Sequence, residues 1–309
     1  MDELKNKPWE KQADEAPKSI YLPRGMVGPE ERRAYYWLAK NCVTGQGTIV
    51  DAGAYLGAST HALAAGAAAG GHTSFNGGPI VHAYDYFKVI DQYVGDSIRR
   101  DFRPIAHDES YLDIFEFQTA KYEELIKAYP GDFHAHKWHG DPIEILFIDV
   151  SKTVTLNSHV VGEFFSSLIP GHSIVIHQDY FHCWHPYIHI SMEFFAEEFE
   201  LLDEFVAHQS RVWRLVKPLS EEKIARIRDY DLSAEERLAL LDQLAGKSSE
   251  FFRPMIEVVK IWQICLDQDW DAASAEMALL RARYDLENAN ILWARQAIEI
   301  EGHIARAQV

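Results

Sequence analysis

Four short apolar runs constrain this chain most, because each one ends in polar residues able to do chemistry. They are residues 48–51 (TIVD), 79–84 (PIVHAY, then Asp85), 143–148 (IEILFI, then Asp149) and 173–176 (SIVI, then His177, Gln178 and Asp179). The third is almost continuous in Ile, Leu and Phe, as a strand buried on both faces reads. Helical stretches lie between them, over residues 59–69, over 88–124 with a break at Arg103-Pro104, and over 156–168. Strand alternating with helix implies an α/β fold with one doubly wound, mostly parallel sheet. Right-handed crossovers make that topology the default. A weaker strand is expected at 125–129, before the turn Pro130-Gly131-Asp132, and a closing strand pair at 205–208 and 212–216.

The flanks read differently. Residues 1–28 are polar, with Pro8, Pro17 and Pro23, and are expected to form an arm. A helix is expected from Pro29, with Glu30 and Glu31 in its first turn, and another over 190–199. After Pro218 only helical spacing recurs. Ser233 and Glu236 form a capping box, Gly246 is the expected stop of that helix, and a further helix begins near Asp271. The expected division is an arm at 1–28, a sheet domain at 29–217 and an all-helical C-terminal appendage at 218–309. The apolar stripes of the appendage need a partner: the sheet domain, a lid position or a second subunit, which makes a homo-oligomer an expectation.

Charge narrows the function. Thirty Lys and Arg face forty-seven Asp and Glu, a formal net charge of -17 over 309 residues. Such a chain is repelled by a phosphate backbone and by an anionic bilayer, so neither nucleic acid nor membrane is an expected partner. A hydrophobic fraction of 47% excludes disorder as the reason for the acidity. Cys42, Cys183 and Cys265 are too few and too scattered for a disulfide framework, and the first residues lack an apolar signal segment. A cytoplasmic setting is expected.

The segment Asp51-Ala-Gly53-Ala-Tyr55-Leu-Gly57-Ala-Ser59-Thr60 follows the first strand and opens a helix that Ser59 or Thr60 can cap. Glycines there let backbone approach a ligand closely, and Asp51 and Asp85 end neighbouring strands at the crevice where such sheets bind ligands. A nicotinamide fingerprint needs G-x-G-x-x-G. This turn instead has G-x-x-x-G, with an acid two residues before it. That acid would repel a pyrophosphate and suits the amino group of an amino-acid-like ligand.

These segments together resemble the class I S-adenosylmethionine-dependent methyltransferases. The resemblance is carried by VDAGAYLGAST, VHAYDYF, PIEILFIDVSKT and IPGHSIVIHQDY and covers roughly residues 28–217. Within that family it is nearest the branch of small-molecule O-methyltransferases, such as those acting on macrolide sugars. The family pattern is acid-x-Gly-x-Gly-x-Gly, and Tyr55 stands at its middle glycine. The resemblance implies a Rossmann-like sheet, S-adenosyl-L-methionine as cofactor and a small-molecule acceptor. It puts Asp51 and Gly53, with Tyr55, Gly57 and Ser59 in the same turn, near the methionine moiety. It puts Asp85 at the ribose, Asp132 near adenine, and Tyr86 and Phe87 on the adenine side.

Asp149, Gln178 and Asp179 offer two carboxylates and an amide oxygen, a ligand set that suits Mg²⁺ and a role in lowering the pKa of a substrate hydroxyl. It resembles the Asp, Asp and Asn of catechol-type O-methyltransferases, although sugar-directed relatives carry an Asp pair where Gln178-Asp179 stands. Lys152, three residues after Asp149, matches the general-base lysine of the catechol type. His177 and His182 are alternative bases. The expected activity is O-methylation of a small polar molecule. The other readings are a nicotinamide-dependent oxidoreductase and a non-catalytic binding or assembly subunit that keeps the fold.

Overall fold

The computed structural model describes residues 6–12, 15–206, 210–287 and 291–308. In chain order its elements are α1 (Pro8–Lys11), α2 (Pro29–Cys42), β1 (Thr48–Ala52), α3 (Ala58–Ala69), β2 (Val81–Asp85), α4 (Gln92–Asp101), α5 (Leu112–Thr119), β3 (Ile126–Pro130), β4 (Ile143–Ile148), α6 (Val154–Phe164), β5 (Ile174–His177), α7 (Pro186–Phe194), β6 (Phe199–Val206), β7 (Ser210–Leu215), α8 (Glu221–Arg228), α9 (Ala234–Lys247), α10 (Arg253–Leu266), α11 (Trp270–Arg283) and α12 (Leu292–Ala307). They form two compact units. A sheet unit holds Met1–Val150, Glu163–Gln178 and Phe199–Pro218, and a helical unit holds Ser151–Gly162, Asp179–Glu198 and Leu219–Val309.

The seven strands make one sheet in the order β3-β2-β1-β4-β5-β7-β6. The pairs among β1 to β5 are parallel, and β7 runs antiparallel to both of its neighbours. This is a doubly wound, mostly parallel sheet. Its order reverses at β1, between β2 on one side and β4 on the other, which is where such sheets open a ligand crevice.

The core follows from alternation along the strands. Ile49, Val81, Ile145, Phe147, Ile174 and Ile176 share one buried cluster with Tyr35 and Leu38 of α2 and the alanines of α3. Small residues let α3 lie close to α2: a Cβ on Gly66 would meet the Tyr36 carbonyl oxygen at 2.3 Å. Toward the ends of β2 and β3 a second cluster packs Ala83 with Phe87, Ile98, Tyr111 and Phe115. On the other face Tyr84 stacks on Tyr129, its partner across the β2–β3 pair, at 4.4 Å.

Several boundaries differ from expectation. Trp9, Ile20 and Val27, inside the expected arm, are buried in the same cluster as α2 and α3. The helix expected at 190–199 begins instead at Pro186, which is suited to a first helical turn, and Phe199 already opens β6. The strand expected at 205–208 therefore starts earlier, and its last residues lie outside the described ones. Gly246 does not stop α9, which runs on to Lys247 and ends at Ser248. The capping box forms: the Glu236 N–H donates to Ser233 Oγ at 3.1 Å, and the Ser233 N–H donates to Glu236 Oε2 at 2.8 Å. No strand occurs among the described residues after β7, and no helix among them is long and apolar enough to cross a membrane.

Candidate active site

Asp51 sits near the end of β1 with no exposed surface. One carboxylate oxygen, Oδ2, accepts Ser59 Oγ at 2.9 Å and Thr60 Oγ1 at 2.5 Å. The two hydroxyls thus face back to the strand, and the helix start is left to Gly57, at φ +91° and without a side-chain cap. The other oxygen, Oδ1, is buried and has no hydrogen-bond partner among the described residues. Burial pushes the carboxyl up to about 7, helped by the nearby Asp149 and Asp85 charges and opposed by Thr60 and Ser59.

The glycines of this turn make room for the chain itself. Gly53, at φ +109°, has the Asp149 carbonyl carbon 2.7 Å from where a Cβ would stand. Gly57 has Thr119 and Phe115 of α5 at 2.7 and 3.0 Å. Tyr55, at the family's middle glycine, keeps a left-handed backbone (φ 46°), a conformation rare for a bulky residue. What holds it there is Asp85, whose Oδ2 accepts the Tyr55 N–H at 2.8 Å.

Asp85 is gripped on its other oxygen too. Oδ1 accepts the Phe87 N–H at 2.9 Å and the Tyr111 hydroxyl at 2.8 Å. Phe87 is itself left-handed, at φ 53°. Burial raises the Asp85 carboxyl, against the pull of the Phe87 and Tyr55 amides. A carboxylate has about four lone-pair sites, so three donors leave room for one more partner. Phe87 departs from expectation: it is fully buried, 4.8 Å from Phe115, so its ring belongs to the core and does not present a surface to adenine. Tyr86 is 40% exposed. The Gly131 N–H donates to the Asp85 carbonyl at 3.1 Å, which ties the turn after β3 to the end of β2. Asp132 in that turn is exposed, and its carboxylate accepts the His134 N–H at 3.0 Å.

Sequence reasoning missed the segment before α2. Gly25, Met26 and Val27 line a small pocket with Gly53, Tyr55, Ser59 and Asp149. Two side chains staple this segment down. Arg32 donates to the carbonyls of Val27 at 2.9 Å and Pro23 at 2.7 Å. Gln118 of α5 accepts the Arg24 N–H at 2.5 Å and donates to the Arg24 carbonyl at 3.1 Å and to the Leu56 carbonyl at 2.6 Å. One carboxamide thus joins the segment to the glycine turn. The available signal was Gly25, where a Cβ would meet the Ala58 Cβ at 2.6 Å.

At the ends of β4 and β5, two of the three expected metal ligands, Gln178 and Asp179, have partners in the chain itself. Asp149 is half-buried and lines the same pocket as Gly53. His177 is buried as the last residue of β5. Gln178, also buried, is turned to α2 and β7: its Oε1 accepts the Ser210 hydroxyl, and the Tyr35 hydroxyl at 3.4 Å. The same two hydroxyls lie 3.2 and 2.9 Å from Glu31 Oε1, so their two protons are shared between the Gln178 and Glu31 oxygens. The Gln178 amide oxygen thus faces a buried hydroxyl network of the chain itself. In the helical unit Asp179, at φ 59°, pairs with Lys152 Nζ through Oδ2 and lies 3.5 Å from His182 Nε2 through Oδ1. The residue expected as base and a residue expected as metal ligand are thus partners of each other. Among the described residues no group of three His, Cys, Asp or Glu side chains is arranged to hold a metal. Gln178 and Asp179, as placed, face groups of the chain itself, which does not fit an Mg²⁺ site.

No protein-family model matches the chain, and no curated protein matches it. Among the solved structures similar to it are these three. The O-methyltransferase NovP is 17% identical, with a TM-score of 0.47 over 62% of this chain and 82% of that one. The cofactor-bound protein Rv0187 from MTB is 16% identical, with a TM-score of 0.43 over 69% of this chain and 91% of its own. An O-methyltransferase from Bacillus cereus in complex with SAH is 15% identical, with a TM-score of 0.39 over 69% of this chain and 90% of its own.

Proposed function

We propose that the chain is an S-adenosylmethionine-dependent methyltransferase that methylates a hydroxyl of a small polar molecule. The observation that carries this reading is the Asp51 carboxylate, fully buried with Oδ1 unserved by the described chain. A buried polar atom without a partner is costly. An amino-acid ammonium brought to the turn after β1 would serve it and favour the ionised form. Asp85, with one lone-pair site left, suits a ribose hydroxyl. The Gly25–Val27 segment would cover the methionine end.

When bound, the cofactor supplies a methyl group activated on a sulfonium. The chain's own part is to position the acceptor oxygen in line with the S–CH₃ bond and to take up the proton that the oxygen loses. Asp149, His177 and Lys152 are the residues proposed for that part. No step runs through a metal.

Calorimetric titration tests the reading. S-adenosylhomocysteine should bind to the wild type and bind at least tenfold more weakly to Asp51→Ala, since a lost charged hydrogen bond is worth about 1.5–3 kcal/mol. Binding of NAD with no response to S-adenosylhomocysteine would replace it with the oxidoreductase reading.

A further inference from the structure

Gln296 of α12, which is 4% exposed, reaches His182 and Cys183, just after Asp179 in the chain. Its Oε1 accepts the Cys183 N–H at 3.1 Å. That bond settles the orientation of the carboxamide, so Nε2 is the atom 3.3 Å from His182 Nδ1. An amide NH₂ donates and does not accept. His182 Nδ1 is therefore the acceptor and carries no proton, and the proton of the neutral imidazole lies on Nε2. Nε2 is the nitrogen that faces Asp179 Oδ1 at 3.5 Å, while Lys152 holds Oδ2. The other histidine nearby is His185, its ring 6.3 Å from that of His182. Its Nδ1 is engaged by the Tyr187 hydroxyl at 2.7 Å. Burial, with Lys152 and His182 adding to it, lowers its pKa to about 4, so it is neutral at pH 7.

We propose that Gln296 is a positioning residue: it locks His182 in the Nε2–H tautomer, with that N–H turned toward Asp179 Oδ1 while Lys152 pairs with Oδ2. This gives the C-terminal helix a chemical task, although its sequence suggested only packing. The catalytic consequence rests on the methyltransferase reading. The lock itself does not.

The test is nitrogen NMR of the full chain labelled in histidine, with the His182 signals identified by their loss in His182→Gln. The expected wild-type pattern at pH 7 is a protonated Nε2 and an unprotonated Nδ1. Gln296→Glu keeps an acceptor for Cys183 but sets a carboxylate oxygen against Nδ1, so a proton should appear on Nδ1. Gln296→Met fills the space without donating, and the two tautomers should mix. In both variants kcat should fall about tenfold, with the KM for S-adenosylmethionine unchanged, because only acceptor geometry is disturbed. A wild-type His182 protonated on Nδ1, or a tautomer unmoved by Gln296→Met, overturns the lock. A lock that is present while both variants keep full kcat overturns its positioning role. A wild type that neither binds S-adenosylhomocysteine nor transfers methyl groups sinks the functional reading instead, and the tautomer still decides the lock.

Discussion

The end of β1 and the loop after β5 each carry an acid, and their surroundings treat it in opposite ways. Asp51 has one oxygen bonded to two hydroxyls and the other buried with no partner among the described residues. Asp179 has Lys152 on one oxygen and His182 near the other. Both are acids at the end of an apolar run, and position alone does not separate them. The donors around each one do. An acid left short of donors suits a cationic ligand. An acid already paired serves to orient its neighbours.

The largest test of this contrast lies at Asp85, an acid of the sheet unit that accepts three donors. Replacing it with Ala removes the acceptor of the Tyr55 and Phe87 amides and of the Tyr111 hydroxyl. Each buried donor left unpaired costs about 1–3 kcal/mol, and two of the three hold left-handed residues. A loss of about 5 kcal/mol is expected from the urea midpoint at constant m. A loss below about 1 kcal/mol would mean that the turn holds its shape without the carboxylate.

Asp51 should respond to pH instead. Its carboxyl is raised to about 7 in the fold, against about 3.9 in an unfolded chain. Between those values the folded state keeps a proton that the unfolded state has lost. The stability contribution is therefore fully present below pH 4, falls as pH rises and is gone above 7. The difference amounts to about 4 kcal/mol. Asp51→Asn should remove this slope when urea unfolding is compared at pH 5 and pH 8. S-adenosylhomocysteine binding near pH 6 should release protons in the wild type and none in the variant. A wild type whose stability is flat from pH 4 to 7 would break the contrast between the two acids.

What the sequence disclosed divides along the same line. The strands were legible because TIVD, IEILFI and SIVI leave no amphipathic alternative, and β1, β4 and β5 lie within a residue or two of expectation. Asp51 and Asp85 were legible as strand-end acids, since parallel strands present their C-terminal ends together. The partners of those acids were not. Nothing in the spacing of Gln178 tells that Ser210 and Tyr35, 32 and 143 residues away, claim its oxygen. Phe87 could be read as a ligand wall or as core, because an aromatic residue after a strand suits both. The Gly25–Val27 segment was read as part of an arm because its prolines and charges hide three short buried anchors, Trp9, Ile20 and Val27.

Gln178 sharpens the contrast at the level of metal chemistry. Gln178→Leu strips an acceptor from Ser210 and Tyr35 in a buried network, so a loss of about 1–3 kcal/mol of stability is expected. If methyl transfer occurs as proposed, a chelator should leave it within about twofold in wild type and variant alike, since the expected ligand is committed elsewhere. An activity abolished by EDTA and restored by Mg²⁺ would show that Gln178 and Asp179 exchange their partners when the metal arrives.

The smallest expected effect is a control on the helical unit. Ser233 caps α9, with its hydroxyl accepting the Glu236 N–H while the Glu236 side chain returns the bond. Its neighbourhood is exposed, and none of the candidate site residues lies on α9. Ser233→Ala should cost about 1 kcal/mol, the usual worth of such a cap, and leave S-adenosylhomocysteine affinity unchanged. The value of the variant lies in that separation. Gln296 is argued to act on the site through one carboxamide, so a mild loss of helical-unit stability at Ser233 must not reproduce its effect on kcat. If Ser233→Ala lowers kcat as far as Gln296→Met does, the helical unit acts through its stability as a whole, and the special place given to Gln296 is lost.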